Sequence, residues 1–193
     1  MGASRTLGRL SLETARLRLT ALTADGLRAW IEGDAKGLEG ETGVVFDGPV
    51  EAPPLLADDL PRFHESMVSS PEDLGWWVWL VSTRADRRAV GACGLGGPPS
   101  AGTAVIGYSV YPRFEGRGFA TEATGALVAW ALSQPRVRIV QATIPTWHEA
   151  SIAVARKLGM QETGHELDPD VGEVAVWEIV RGESPRPRGG IPD

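Results

Sequence analysis

The run Pro112-Arg113-Phe114-Glu115-Gly116-Arg117-Gly118-Phe119-Ala120-Thr121-Glu122 brings together two glycines, two arginines and the start of a helical pattern, residue types suited to holding an anionic group such as a pyrophosphate. Before it, Ala104-Val105-Ile106-Gly107-Tyr108-Ser109-Val110 is apolar and β-branched enough for a buried strand. After it, Phe119, Ala123, Ala126, Leu127, Trp130 and Ala131 recur at helical spacing. The glycines therefore sit at a strand-to-helix junction. There the first backbone N–H groups of a helix lack partners and carry the positive end of its dipole. Gly116 and Gly118 let a ligand approach that backbone with no Cβ in the way.

Other phosphate motifs fit less well. A nucleoside-triphosphatase turn needs Lys-Ser/Thr after its last glycine, and Phe119-Ala120 stand there instead. A dinucleotide fingerprint counted from Gly116 needs a third glycine where Thr121 lies. A plain glycine turn joining two elements is the remaining alternative on this segment alone.

A second segment has the same strand-then-helix form. Val137 to Ile144 reads as a strand, followed by Pro145-Thr146-Trp147-His148-Glu149-Ala150-Ser151 and a short helix ending in Lys157-Leu158-Gly159-Met160. The order of strand, Gly-x-Gly turn, long helix, strand and short helix resembles the GNAT superfamily of acyl-CoA N-acyltransferases. Leu12-Glu13-Thr14-Ala15-Arg16-Leu17-Arg18-Leu19, Ala120-Thr121-Glu122-Ala123 and His148-Glu149-Ala150-Ser151 are similar to its branch of ribosomal-protein N-terminal acetyltransferases. The resemblance runs from about Leu12 to Val180.

The resemblance implies a direct transfer of an acetyl group from acetyl-CoA, as co-substrate and without a metal, to a primary amine of a small molecule, a peptide amino terminus or a lysine. It implies that Gly116, Arg117, Gly118, Phe119, Ala120 and Thr121 form the phosphate turn, with Arg113 and Arg117 available to the nucleotide phosphates. Glu115 stands where Gln or Arg is common in the family and is expected to point outward. Tyr108, Ser109 and Val110 would meet the pantetheine arm in a splay between strands 104–110 and 137–144, with the Val110 N–H polarising the thioester carbonyl. His148 stands at a position where the family often has an asparagine, and an imidazole cannot copy an amide's donor and acceptor on one centre. His148 is expected either to contact the pantetheine or to assist proton transfer, and Ser151 to be the acid for the leaving thiolate. Both are thereby expected at the cofactor as well as in catalysis. Val105 replaces the glutamate that often precedes the Ile-Gly-Tyr step, and Ala155 replaces a common tyrosine. Candidates for the base are Glu39, Glu41, Glu65, His64 or a water wire, while His165 and Glu166 are candidates for bordering the acceptor. A non-catalytic acyl-CoA-binding or regulatory module of the same fold is the alternative.

Composition bounds these readings. The chain has 193 residues, with a formal net charge of −6 and a sequence pI near 5.2. That length suits one domain, and that charge disfavours a general nucleic-acid or anionic-membrane binder while attracting cationic acceptors. The single cysteine, Cys93, rules out an intrachain disulfide and reads as a core residue. With no apolar run of about 20 residues and no apolar leader, the chain is expected in the cytoplasm. A homodimer is possible by resemblance.

The elements that position the site follow from the remaining pattern. Leu12 to Thr20 alternates as a first strand, Ala24 to Glu32 reads as a helix, and Gly33 to Pro54 as loop or short helix near the substrate mouth. Leu55 to Ser69 is helical, Trp76 to Val81 a strand with Trp77 and Trp79 on one face, and Ala89 to Leu95 the next strand. With a last strand at Glu173 to Val180, the fold expected is an α+β or α/β domain over 12–181: a mixed, mostly antiparallel sheet of six to seven strands flanked by helices. Residues 1–11 read as a flexible amino terminus and 182–193 as a disordered tail.

Overall fold

The computed structural model describes residues 9–54 and 56–182, so the expected amino-terminal segment and tail lie for the most part outside the described residues. The alternating run from Leu12 to Thr20 does not form one strand. It folds into β1 (Ser11–Glu13) and β2 (Leu17–Ala21), paired antiparallel around Thr14-Ala15-Arg16. Helices α1 (Ala24–Ile31), α2 (Ala35–Thr42) and α3 (Leu60–Ser69) follow, so the acidic, glycine-rich stretch contains a helix capped by Asp34 and ended by left-handed Gly43. A single 3₁₀ turn at Ala57–Asp59 shortens the expected third helix.

Strands β3 (Val78–Thr83), β4 (Ala89–Leu95) and β5 (Thr103–Val110) make an antiparallel meander. Then come α4 (Phe119–Ser133), β6 (Ile139–Pro145), α5 (Glu149–Lys157), β7 (Gln161–Asp168) and β8 (Gly172–Val180). The sheet has eight strands in the order β1-β2-β3-β4-β5-β6-β8-β7, one or two more than expected. The additions are the split first strand and β7, an edge strand exposed along almost its whole length.

Apolar side chains explain the layers. Leu17 and Leu19 are fully buried, each worth about 1.5–3 kcal/mol relative to exposure. Trp76 and Trp79 both pack on Trp130 of α4, with ring centroids 5.1 and 5.3 Å away, while Trp77 packs on Phe63 of α3 at 5.6 Å. Trp77 and Trp79 thus lie on opposite sides of the sheet, because Trp76 and Trp77 precede the strand and escape its alternation. Cys93 is buried, and that burial pushes its thiol pKa far up, as befits a core residue.

The feature that positions the site is at the centre. β5 pairs in parallel with β6 only from Thr103 to Val105 against Ile139 to Gln141. Beyond that, β5 stays with β4 as far as Val110, and β6 stays with β8 as far as Pro145. The expected splay is therefore present. The Val105 carbonyl accepts from the Gly96 N–H at 2.8 Å, and the Tyr111 N–H donates to the Val90 carbonyl at 3.0 Å. Alternation then turns the backbone groups of Tyr108 and Val110 away from β4 and into the opening.

Candidate active site

The glycine turn has the backbone that its sequence demands. Gly116 and Gly118 take φ of 71° and 77°, a left-handed conformation that costs other L-residues about 1–2 kcal/mol. Gly118 is the N-cap of α4, and no side chain caps the helix. The first helical bond at this end runs from the Glu122 N–H to the Gly118 carbonyl at 3.1 Å, so the N–H groups up to Thr121 have no intrahelical partner. They open on a cleft of about 250 Å³ bordered by Val110, Gly116, Gly118, Phe119, Ala120 and Thr121. An uncapped helix N-terminus facing a cleft can hold a phosphate or pyrophosphate.

The opposite wall was not anticipated. It is one face of α5: Ala150, Ala153, Val154 and Lys157. Their spacing of three and four residues is a sequence signal for that face, with small side chains leaving room and a terminal lysine supplying charge. Glu115 is exposed, yet it also borders the cleft, so a carboxylate stands at the place expected for phosphate. Arg113 and Arg117 lie outside that lining: Arg113 donates to the Asp47 carbonyl at 3.2 Å, and Arg117 sits 5.5 Å from the Phe114 ring centroid.

A second unanticipated device holds the turn in place. The Glu122 carboxylate accepts from the Thr14 hydroxyl at 2.5 Å, the Arg16 N–H at 2.8 Å and Arg16 Nε at 2.6 Å. Arg16 Nη1 also donates to the Arg117 carbonyl at 3.0 Å, and its guanidinium lies 4.7 Å from the Phe119 ring centroid. The β1–β2 turn is thus fastened to the first turn of α4. Burial alone would raise the Glu122 pKa, but the Thr14 and Arg16 hydrogen bonds and the Arg16 charge outweigh it and hold the carboxyl below its ordinary value.

At the start of α5, His148 is the N-cap: the Ser151 N–H donates to its Nδ1 at 3.2 Å and to its carbonyl at 3.1 Å. An accepting Nδ1 requires the neutral tautomer with hydrogen on Nε2, so the imidazole accepts toward the helix and donates away from it. The Tyr108 hydroxyl crosses from β5 to α5 and donates to the Ser151 carbonyl at 3.0 Å. Its pKa is raised by burial, so Tyr108 stays a phenol at neutral pH. His148, Ser151 and Tyr108 are therefore brought together between β5 and the start of α5, although neither His148 nor Ser151 borders the cleft at the head of α4.

On the other face of β5, Ser109, Gly107 and Tyr108 line a separate cavity beneath α3. Neither cleft is bordered by Glu39, Glu41, Glu65 or His64. Glu41 instead accepts from the N–H and hydroxyl of Thr23 at 3.1 and 2.8 Å, bracing α1. His165 and Glu166 stand on β7, which is separated from β6 by β8, and the His165 ring lies between Glu162 and Glu173. They border neither described cleft. Among the described residues, no group of three or more His, Cys, Asp and Glu side chains is placed to hold a metal, and no helix is long and apolar enough to cross a membrane.

A splayed sheet with an uncapped helix N-terminus beside it offers an open strand edge and a cleft suited to an anionic group. The sequence agrees: residues 16–161 match the family described as acetyltransferase (GNAT) domain, and the chain belongs to that family. The protein is an acetyltransferase. It is 28% identical over 149 residues to an uncharacterized N-acetyltransferase of Bacillus subtilis, YjdG, spanning 77% of this chain and 88% of that one. Its fold is similar to that of the ribosomal-protein-S5-alanine acetyltransferase from Vibrio fischeri, with a TM-score of 0.65 and 11% identity over 92% of this chain and 100% of the other. It is also similar to RimL, a ribosomal L7/L12 alpha-N-protein acetyltransferase in complex with coenzyme A, with a TM-score of 0.63 and 15% identity over 89% and 98% of the two chains.

Proposed function

We propose that the protein transfers an acetyl group from acetyl-CoA to a primary amine by direct attack, with the two substrates meeting at the splay between β5 and β6. The observation that carries this reading is the uncapped N-terminus of α4, with left-handed Gly116 and Gly118, opening on a cleft whose other wall is α5. The N–H groups from Gly116 to Thr121 hold the pyrophosphate, and Lys157 adds a positive charge across the cleft. The pantetheine amides pair with the backbone of Tyr108 and Val110 on the unpaired edge of β5, as an added strand would. The Val110 N–H then polarises the thioester carbonyl and stabilises the charge that develops on its oxygen.

At the other end of the opening, His148 Nε2–H is directed away from α5 and donates to the acyl-CoA, while Ser151 supplies a proton to the departing thiolate. Tyr108 is a positioning residue: its bond to the Ser151 carbonyl fixes the distance between β5 and α5. The reading is tested by following thiol release from acetyl-CoA with a panel of amines. Release above the amine-free rate is the expected result, with Ser151→Ala lowering kcat about 10- to 100-fold while leaving acetyl-CoA affinity intact. Thiol release that no amine accelerates would overturn it.

A further inference from the structure

We infer that the acceptor is a primary amine carried on a compact apolar body about the size of a benzyl group, bound in the cavity between α3 and the β4–β5 hairpin. The inference rests on the acetyl-transfer reading above and names its substrate class. The cavity measures about 210 Å³. An apolar cavity of about 150 Å³ accommodates a benzene ring, so this one has room for a ring and one or two further carbons.

Its walls leave few other choices. Leu56 and Phe63 close it from the α3 side, Val78 from β3, and Gly94, Gly96 and Gly107 form a floor without side chains. A Cβ built on Gly107 meets nothing within 4 Å, so this glycine faces open space. The only charged side chains in the lining, Asp59 and Arg62, neutralise each other at 2.9 Å on the rim. A polyamine or a cationic sugar amine would bring further ammonium groups into a lining with no unpaired carboxylate to receive them. A ring or branched aliphatic group instead buries against Phe63 and the glycine floor.

The inner end of the cavity explains how such an amine is activated. Tyr108 lines this cavity, and its backbone groups turn away from β4 into the splay that β5 and β6 leave beyond Val105, so the splay is the passage by which an amine held here reaches a thioester beside Val110. No lining group is a free base: Val105 is apolar, Tyr108 is a phenol, and the Asp59 carboxylate is engaged by Arg62. Desolvation in an apolar cavity favours the neutral amine over the ammonium ion, so the acceptor enters by losing its proton to water. Its nitrogen lone pair then forms the N–C bond to the acetyl carbon. The C–S bond breaks with its electron pair on sulfur, the thiolate takes up one proton, and the nitrogen releases its second proton to water.

The test compares benzylamine and phenethylamine with spermidine and an alanine-initiated hexapeptide as acceptors of the full-length protein, alongside calorimetry with acetyl-CoA. We expect kcat/KM for the two arylalkylamines to exceed that for spermidine and the peptide at least tenfold. Gly107→Leu, at an ordinary strand backbone, is expected to fill the cavity and remove at least tenfold of that activity with acetyl-CoA affinity unchanged. Preference for spermidine or the peptide overturns the inference, as does full activity in G107L or acetyl-CoA binding without turnover of either arylalkylamine. The acceptor ranking uses the natural protein and decides the matter even if G107L does not fold. Failure of acetyl-CoA to bind the natural protein would overturn the acetyl-transfer reading itself, and this inference with it.

Discussion

Arg16 Nε and the Glu122 carboxylate meet at 2.6 Å, across 106 residues of sequence, and join the β1–β2 turn to the first turn of α4. The same arginine donates to the Arg117 carbonyl inside the glycine turn, so the clamp sets the direction in which the helix N-terminus presents its N–H groups. Glu122 also places a negative charge in that first turn, where the helix dipole favours it.

Glu122→Gln is expected to destabilise the protein by about 1–2 kcal/mol, since the Glu122 side chain is only 19% exposed although Arg16 is half-exposed. For a domain of this size that lowers Tm by about 2–8 °C, readable by thermal unfolding. The carboxyl titrates below its ordinary value in the folded protein, so its stabilisation is complete above the unfolded pKa and lost as pH falls through the folded value. The gap between natural protein and E122Q should therefore narrow below about pH 4.5, the ordinary value for this group.

Glu115→Gln removes a carboxylate that borders the cleft assigned to the pyrophosphate. Acetyl-CoA affinity should rise about two- to tenfold, more at low ionic strength than at high, because screening weakens repulsion between exposed charges. Calorimetry at two salt concentrations reads both effects.

Lys157→Met keeps much of the side-chain stem and deletes the charge on the α5 wall. A three- to tenfold loss of acetyl-CoA affinity is expected, with kcat at saturating acetyl-CoA little changed, because the contact is to a remote phosphate in ground and transition states alike.

His165 is held above its ordinary pKa first by the hydrogen bond to Glu162 and then by that to Glu173. A raised folded-state pKa means stabilisation that is complete below the unfolded value and fades as pH rises through the folded one. His165→Gln should therefore shift the urea midpoint more at pH 5.5 than at pH 8.5, and leave acetyl transfer unchanged because β7 borders neither cleft.

The sequence shows the centre of this molecule better than its margins. The junction from Val110 to Phe119 is legible because a β-branched run, two glycines needing left-handed backbone and a helical apolar pattern are all local. The break between β1 and β2 is not, because Thr14-Ala15-Arg16 contains neither glycine nor proline and is fixed by Glu122, more than a hundred residues away. Strand β7 escapes notice because Leu167 is its only large apolar residue and is itself exposed, leaving no alternation to read. Within the site, the turn residues could be read one by one, whereas the cavity beneath α3 exists only once Phe63 stands over Gly94 and Gly107. The capping of α5 by His148 is not legible either, because its Nδ1 accepts from the Ser151 N–H only once the chain has turned from β6 into the helix.

The central claim is that the left-handed glycine turn at the head of α4 holds the pyrophosphate of acetyl-CoA, and calorimetric titration of the natural protein and Gly118→Val tests it most directly. Binding in the micromolar range by the natural protein, weakened at least tenfold in a G118V variant that retains a cooperative thermal transition, is the predicted result. No binding by the natural protein, or equal affinity in a folded G118V, would contradict it.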